Sequence, residues 1–304
     1  MKPFRISGGL ILVSVLSALL AAPGHTQSVT PPSRDAIESA VATVKPALVR
    51  IFVVSTAYRD GRELKYQSSG SGAIISADGY VVTNHHVAGH AKSLLCTLSD
   101  KSEIEAELVG TDALSDIAVI KLAPRPEGDY PFVKFGDSSA IRVGDDVLAM
   151  GSPLSISQSV TAGIVSNTEM VMPRRMGGGN FELDGEDVGN LVKWIAHDAV
   201  IFPGNSGGPL VNLKGDIIGI NEISFGLGGA IPGNLARDVA NALITHGTVP
   251  RSWLGVTVQP LLKSNRGDRG VLITGAIEGS PADKAGIQAG DIMVSLNGAD
   301  TTVR

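Results

Sequence analysis

The stretch Pro203-Gly204-Asn205-Ser206-Gly207-Gly208-Pro209 admits two readings, and they lead to different folds. Read loosely, it satisfies G-x-S-x-G, where a serine sits on a sharp turn between a strand and a helix of an α/β sheet. That reading requires a helix directly after Ser206. The next residues are Gly207, Gly208 and Pro209, poor helix formers, and then the strand-like pair Leu210-Val211. The α/β version also places its acid and histidine downstream, and His246 is the only histidine there. The second reading sets Ser206 on a glycine-rich turn of a β-barrel. Its partners then lie upstream, in the order histidine, aspartate, serine.

Upstream, Thr83-Asn84-His85-His86-Val87-Ala88-Gly89-His90 holds three of the six histidines. His86 and His90 are four apart, which on a helix would put both rings on one face at metal-ligand spacing. A base for a serine nucleophile needs only one histidine, together with an orienting acid. Ser115-Asp116-Ile117-Ala118-Val119-Ile120 supplies that acid, with Asp116 abutting an apolar strand. Asp112, in the preceding turn, reads as a solvated Asx-turn residue. The glycines beside Ser206 can aim the amides of Gly204 and Ser206, with Asn205 between them in the same set, at a point that would hold an oxyanion. A glycine-rich hairpin with an incidental serine is the plainer alternative, and the ordered histidine and aspartate argue against it.

Composition bounds the rest. The chain has 304 residues, 43% hydrophobic and 18% charged, so a packed core is expected. Thirty-seven glycines with 4% aromatics suit short strands joined by tight turns. The net charge of −5 carries no basic excess, which makes nucleic acid an unsuitable partner. The single cysteine, Cys96, can form neither an intrachain disulfide nor a cysteine-based zinc site and reads as core. Lys2 and Arg5, the apolar run Leu10–Ala22 and the small residues after it have the form of an export signal, residues 1–27, cleaved near residues 22–27. The run is short for a membrane span, so no permanent span is expected. The compartment expected is the periplasm.

Along the chain, Gln27–Ser33 reads as a linker. Ser33 can cap a short helix with Ile37, Val41 and Val44 on one stripe, ended by Pro46. Six β-rich runs come next: 47–55, 70–76, 80–83, 94–98, 104–109 and 116–122. After the linker 124–131, a second set covers 147–150, 160–165, 194–201, 209–211, 217–223 and 230–231. The pattern predicts an all-β fold of two six-stranded antiparallel barrels, at about 49–123 and 132–232. Pro173–Gly189, with Gly177-Gly178-Gly179, reads as a surface loop. Asn234 is expected to cap a helix bearing Leu235, Val239, Leu243 and His246, which Gly247 ends.

Three segments, Thr83–Val87, Ser115–Ala118 and Gly204–Leu210, resemble the HtrA/Deg family of exported serine proteases. Asp137-Ser138, Arg142–Asp145, Ser159–Val165 and Gly215–Asn221 match it too. Trp253–Val256 and Ser280–Asp291 look like the start of that family's PDZ domain. The usual family segment is T-N-N-H-V, so the resemblance assigns the catalytic histidine to His86 and puts His85 at an asparagine position. It implies a chymotrypsin-type protease domain over residues 49–250, after a linker and short helix at 28–48, with His86, Asp116 and Ser206 as the triad. The expected activity is endopeptidase cleavage of unfolded or damaged proteins, without cofactor or metal, in a homotrimer or multiple of it. A catalytically silent chaperone or peptide-binding protein on the same fold is the alternative. A metal-dependent hydrolase built on the histidine cluster is a third.

Departures from the family pattern shape further expectations. Asn205 cannot form the ion pair that an aspartate makes with a newly cut N-terminus, so activation by that cleavage is not expected. Val200 is expected near the base of the specificity pocket, with Glu222, Ile223 and Ser224 on one wall, making it apolar. The PDZ portion, 251–304, is expected to be incomplete: its carboxylate loop is expected at 253–256 and its strand at 256–259, and the opposing helix would lie beyond Arg304.

Overall fold

The computed structural model describes residues 32–59, 62–126, 128–152, 158–171, 182–183, 186–189, 192–224, 226–260 and 270–301. The expected signal and the Gly177–Gly179 stretch lie outside them. Helix α1, Arg34–Val44, begins where expected: the Ser33 hydroxyl accepts the Ala36 N–H at 3.1 Å. It buries Ala40 and Val44 against the first barrel.

That barrel comprises β1 (Leu48–Arg59), β2 (Arg62–Ile74), β3 (Tyr80–Asn84), β4 (Ala91–Thr97), β5 (Glu103–Asp112) and β6 (Ile117–Leu122), closed in the order β1-β2-β3-β6-β5-β4. A short helix, α2 (His85–Ala88), leaves β3. Closure removes both sheet edges and buries Leu48, Ile51, Ile74, Ile117, Ile120 and Leu122. Each such side chain contributes about 1.5–3 kcal/mol over its exposed state. Contrary to expectation, the β1–β2 hairpin runs beyond the barrel to the pair Arg59↔Arg62. Residues 62–67 are exposed, so this extension carries no inward–outward alternation to betray it.

The second barrel uses β7 (Asp146–Gly151), β8 (Ser159–Met170), β11 (Trp194–His197), β12 (Pro209–Val211), β13 (Ile217–Ser224) and β14 (Gly228–Pro232), closed as β11-β14-β13-β12-β7-β8. Two short strands, β9 (Glu182–Leu183) and β10 (Glu186–Asp187), pair within the stretch read as a surface loop. β11 ends four residues earlier than expected. The Asp198 carboxylate takes the Ile164 N–H at 2.6 Å, and the chain turns away, leaving Val200 and Phe202 exposed.

Helix α3, Gly233–His246, returns to the first barrel, where Val239, Ala240 and Leu243 join its core. Gly247, at φ +73°, closes the helix through its N–H to the Leu243 carbonyl. Asn234 is not the cap; Pro232 occupies that position. The Asn234 amide instead donates to Asp137 Oδ1 at 2.8 Å, and its backbone N–H donates to the Ser138 hydroxyl.

The C-terminal unit holds β15 (Val256–Pro260), β16 (Val271–Ala276) and β17 (Ile292–Met293) in one sheet, α4 (Pro281–Lys284) capped by Ser280, and the pair β18 (Ser295–Leu296) and β19 (Ala299–Asp300). Trp253 is exposed beside Leu254 at its start. None of the described helices is long and apolar enough to cross a membrane.

Candidate active site

The three residues expected to work together come from both barrels. His86 lies on α2, Asp116 in the turn before β6, and Ser206 in the loop before β12. Asp116 is fully buried and holds φ +53°, a left-handed conformation that asparagine and aspartate tolerate better than most. Three backbone-directed bonds fix it there. The Asn84 side-chain amide and the His85 N–H both donate to the Asp116 carbonyl at 3.0 Å, and the Asp116 N–H reaches the Ala113 carbonyl. The carboxylate then accepts twice from one residue: Oδ1 from the His86 backbone N–H at 2.9 Å, and Oδ2 from His86 Nδ1 at 2.7 Å. A proton on Nδ1 in this bond would leave Nε2, on the other side of the ring, without one and able to serve as a base. Asn84 is part of this machinery. The sequence placed it in a motif without giving it a task.

Asp112 is not solvated. Its carboxylate accepts from the Ser115 N–H at 3.0 Å and from the Arg251 guanidinium, which ties the chain after α3 to the Asp116 turn. His85 is buried. Its Nδ1 lies 2.6 Å from Thr111 Oγ1, and its ring packs edge-on to His90 at 5.2 Å. α2 ends at Ala88, so His86 and His90 do not share a helix face. No group of three or more metal-ligating side chains forms among the described residues.

The Ser206 loop is clasped by the first barrel. Ser71 N–H donates to the Ser206 carbonyl at 2.9 Å, and the Ser71 hydroxyl donates to the Gly204 carbonyl at 2.6 Å. A side chain at Gly207 would place its Cβ 2.2 Å from the Ser71 carbonyl oxygen, so this contact between barrels requires glycine. Among the described residues, neither the Gly204 nor the Ser206 N–H donates to a backbone carbonyl. The Asn205 N–H does, to Phe202 at 2.9 Å, which removes Asn205 from the expected oxyanion donors. Its side chain is buried instead.

On the far side of the serine, the expected pocket wall divides. Ser224 is exposed, Val200 is 52% exposed, and the Ile223 side chain lies outside the described part. Glu222 turns inward and is 4% exposed. Its Oε2 accepts from the Trp194 indole N–H, and its carbonyl accepts from the Ser206 hydroxyl at 3.1 Å. Burial, then the charge of Asp116, hold the Glu222 carboxyl well above the usual carboxylate range. Burial also pushes the Cys96 thiol up to about 12, which leaves it an unreactive core residue.

His197, on β11, is fully buried, and burial lowers its affinity for protons below the ordinary histidine value of 6.5. A base with a depressed folded-state value stays neutral in the fold. Its stability contribution is complete above pH 6.5 and is lost as pH falls through the folded value. Urea unfolding should therefore show the chain losing stability as pH falls below about 6.5, with His197→Phe flattening that slope. Identical slopes in the two proteins would exclude His197 as the cause.

Comparison with known proteins agrees with this fold. A trypsin-like peptidase domain model matches residues 70–220, and a PDZ domain model matches 272–303. A periplasmic serine endoprotease of DegP-like type from Pseudomonas fulva is 43% identical over 251 residues, covering 78% of this chain and 49% of the relative. Its counterpart from Ectopseudomonas mendocina is 45% identical over 251 residues, covering 78% and 49%. The chain thus spans about half the length of the curated relatives it matches. Among solved structures, an HtrA-type protease AlgW with a tripeptide superposes with a TM-score of 0.73 at 34% identity, covering 88% of this chain and 84% of that one. The serine endoprotease from Yersinia pestis gives 0.64 at 32% identity, covering 89% and 85%. Two closed six-stranded barrels followed by a PDZ unit, with relatives this similar across most of their solved chains, place the protein: it belongs to the HtrA/Deg family of trypsin-like serine proteases.

Proposed function

We propose that this chain is a periplasmic serine endopeptidase that cleaves unfolded or damaged proteins through His86, Asp116 and Ser206. The observation that carries the reading is the two-point grip of Asp116 on His86, at 2.9 and 2.7 Å, across from a serine on a clasped glycine turn. In the resting arrangement the Ser206 hydroxyl points to the Glu222 carbonyl, so it must swing to the imidazole as substrate arrives. Ser206 Oγ then attacks the peptide carbonyl while His86 takes its proton. The Gly204 and Ser206 amides receive the oxyanion, each donor contributing about 2.7–4 kcal/mol to the transition state. His86 returns the proton to the leaving amine, and water repeats the sequence on the acyl-enzyme. Unfolded segments are the fitting substrates because the chain must enter extended. Assembly as a homotrimer or a multiple of it belongs to the same proposal.

The specificity follows from the charge at the site. Glu222 is turned inward, and burial raises its hold on a proton, so it offers no exposed carboxylate to a basic side chain, while Val200 and Phe202 offer apolar surface. Cleavage is expected after small or medium aliphatic residues such as Val, Ala or Ile. Lysine or arginine would be desolvated without a partner, at a cost of several kcal/mol. A fluorophosphonate probe should label the native chain and not Ser206→Ala, and mass spectrometry of digested casein should show aliphatic residues before the cut. Cuts mainly after Lys or Arg would refute the specificity. The inward serine hydroxyl also fits the silent, peptide-binding alternative, and an unlabelled native chain that still binds peptide would favour it.

A further inference from the structure

The carboxyl group of Glu222 has an environment that a simple wall residue does not need. It sits on β13 beneath the catalytic pair, 4% exposed. Oε2 takes the Trp194 indole N–H, while Oε1 is buried with no donor among the described residues. The carboxyl lies against the Asp116 turn: Gly189, whose backbone adjoins Oε1, donates its N–H to the Ala113 carbonyl at 3.1 Å, the same oxygen that accepts the Asp116 N–H. The backbone of Gly189 closes over it, since a Cβ there would stand 3.2 Å from Oε1. Asp116 has already committed one oxygen to each of two His86 donors. Two buried carboxyl groups are thus brought to the same turn, and no Lys or Arg bridges to either among the described residues.

We propose that Glu222 acts as a positioning residue of the catalytic pair, donating a hydrogen bond from its carboxyl group to the Asp116 carboxylate. This rests on the reading of His86, Asp116 and Ser206 as the triad. Two adjacent buried carboxylates do not both ionise, so the pair shares one proton and one negative charge. With the proton on Glu222, every polar atom is satisfied: Oε1–H donates to Asp116, and Oε2 accepts from Trp194. The pair then carries one charge opposite one imidazole. Burial and the Asp116 charge both favour this state by raising the Glu222 proton affinity. The titratable groups placed against it among the described residues are few: Asp116 from the turn before β6, and His86 of α2 beyond Asp116. Loss of the Glu222 proton at higher pH would place two negative charges behind His86. The imidazole would then bind its proton more tightly and serve less well as base.

Glutamine reproduces the protonated acid permanently, with an amide N–H₂ for Asp116 and an oxygen for Trp194. Leucine keeps the bulk and removes both. In Glu222→Gln, kcat/KM for a peptide substrate should stay within a few-fold of the parent on the acid side. Its profile should lack an ionisation that the parent shows on the alkaline side. Glu222→Leu should lose about 10- to 100-fold in kcat with little change in KM, the usual scale for a group that orients a catalytic side chain. Stability gives a readout that does not depend on turnover. A carboxyl with a raised folded-state value contributes fully below 4.5 and progressively less as pH rises through the folded value. Urea unfolding should therefore show Glu222→Gln gaining on the parent as pH rises. If the chain proves unreactive to a serine probe, the triad reading fails, and this stability comparison still decides the protonation of Glu222. Superimposable pH profiles and parallel stability curves in parent and Glu222→Gln would overturn the proposal. So would a glutamine variant as impaired as leucine.

Discussion

Replacing Ser206 with alanine is expected to lower kcat for a peptide substrate by roughly 10⁶-fold, the scale set by removal of the nucleophile in enzymes of this mechanism. A methyl group cannot form the acyl-enzyme, and neither neighbouring histidine is placed to substitute. The fold should not change. The loop is held by backbone bonds, Ser71 N–H to the Ser206 carbonyl and Gly207 N–H to the Asn221 carbonyl at 2.8 Å. The hydroxyl itself contributes one bond, to the Glu222 carbonyl. Thermal unfolding of the variant should thus match the parent to within about 1 kcal/mol, while casein turnover disappears. EDTA should leave the parent's turnover unchanged. Turnover that survives Ser206→Ala but vanishes with EDTA would establish the metal-dependent reading instead.

The second large effect is expected at Asp116. Asp116→Asn should reduce kcat by about 10⁴-fold at neutral pH. The aspartate accepts two bonds from His86, whereas asparagine presents one acceptor and one donor. An amide N–H₂ facing Nδ1 favours the tautomer with its proton on Nε2, where the base is needed. The conformation itself should survive, because asparagine also tolerates φ +53° and the Asn84 and His85 anchors reach the backbone. His85→Asn is the matched control. Its ring bonds Thr111 outside the pair, so turnover should stay within a few-fold. A silent His85→Asn beside an active His86→Asn would reverse the histidine assignment.

Much of this architecture was legible because its signals are local. The twelve barrel strands read as short β-branched runs with turn residues between them, and Ser33 and Gly247 marked helix ends by side-chain and backbone chemistry within four residues. The strand extensions at 56–59 and 62–69 were not legible, because residues 62–68 are exposed and show no buried face. Asn234 misled for a related reason. Its amide prefers Asp137 and Ser138, nearly a hundred residues away, over the helix it begins.

By itself the sequence determined the chemical parts and their order: His86, Asp116 and Ser206, the glycines that let the serine loop approach the first barrel, and two barrels to carry them. Only the tertiary structure decided how those parts face one another. Asp116 grips His86 across 30 residues, and Ser71 clasps Gly204 across 133. Glu222 shows why such contacts escape a linear reading. Every residue from Ile217 to Glu222 is buried, so both faces of β13 look alike, and a shift of register between Asn221 and Ile223 breaks the alternation there. Which way the Glu222 carboxyl points, outward to substrate or inward to Asp116, is set by that bulge and by the Trp194 indole waiting on another strand.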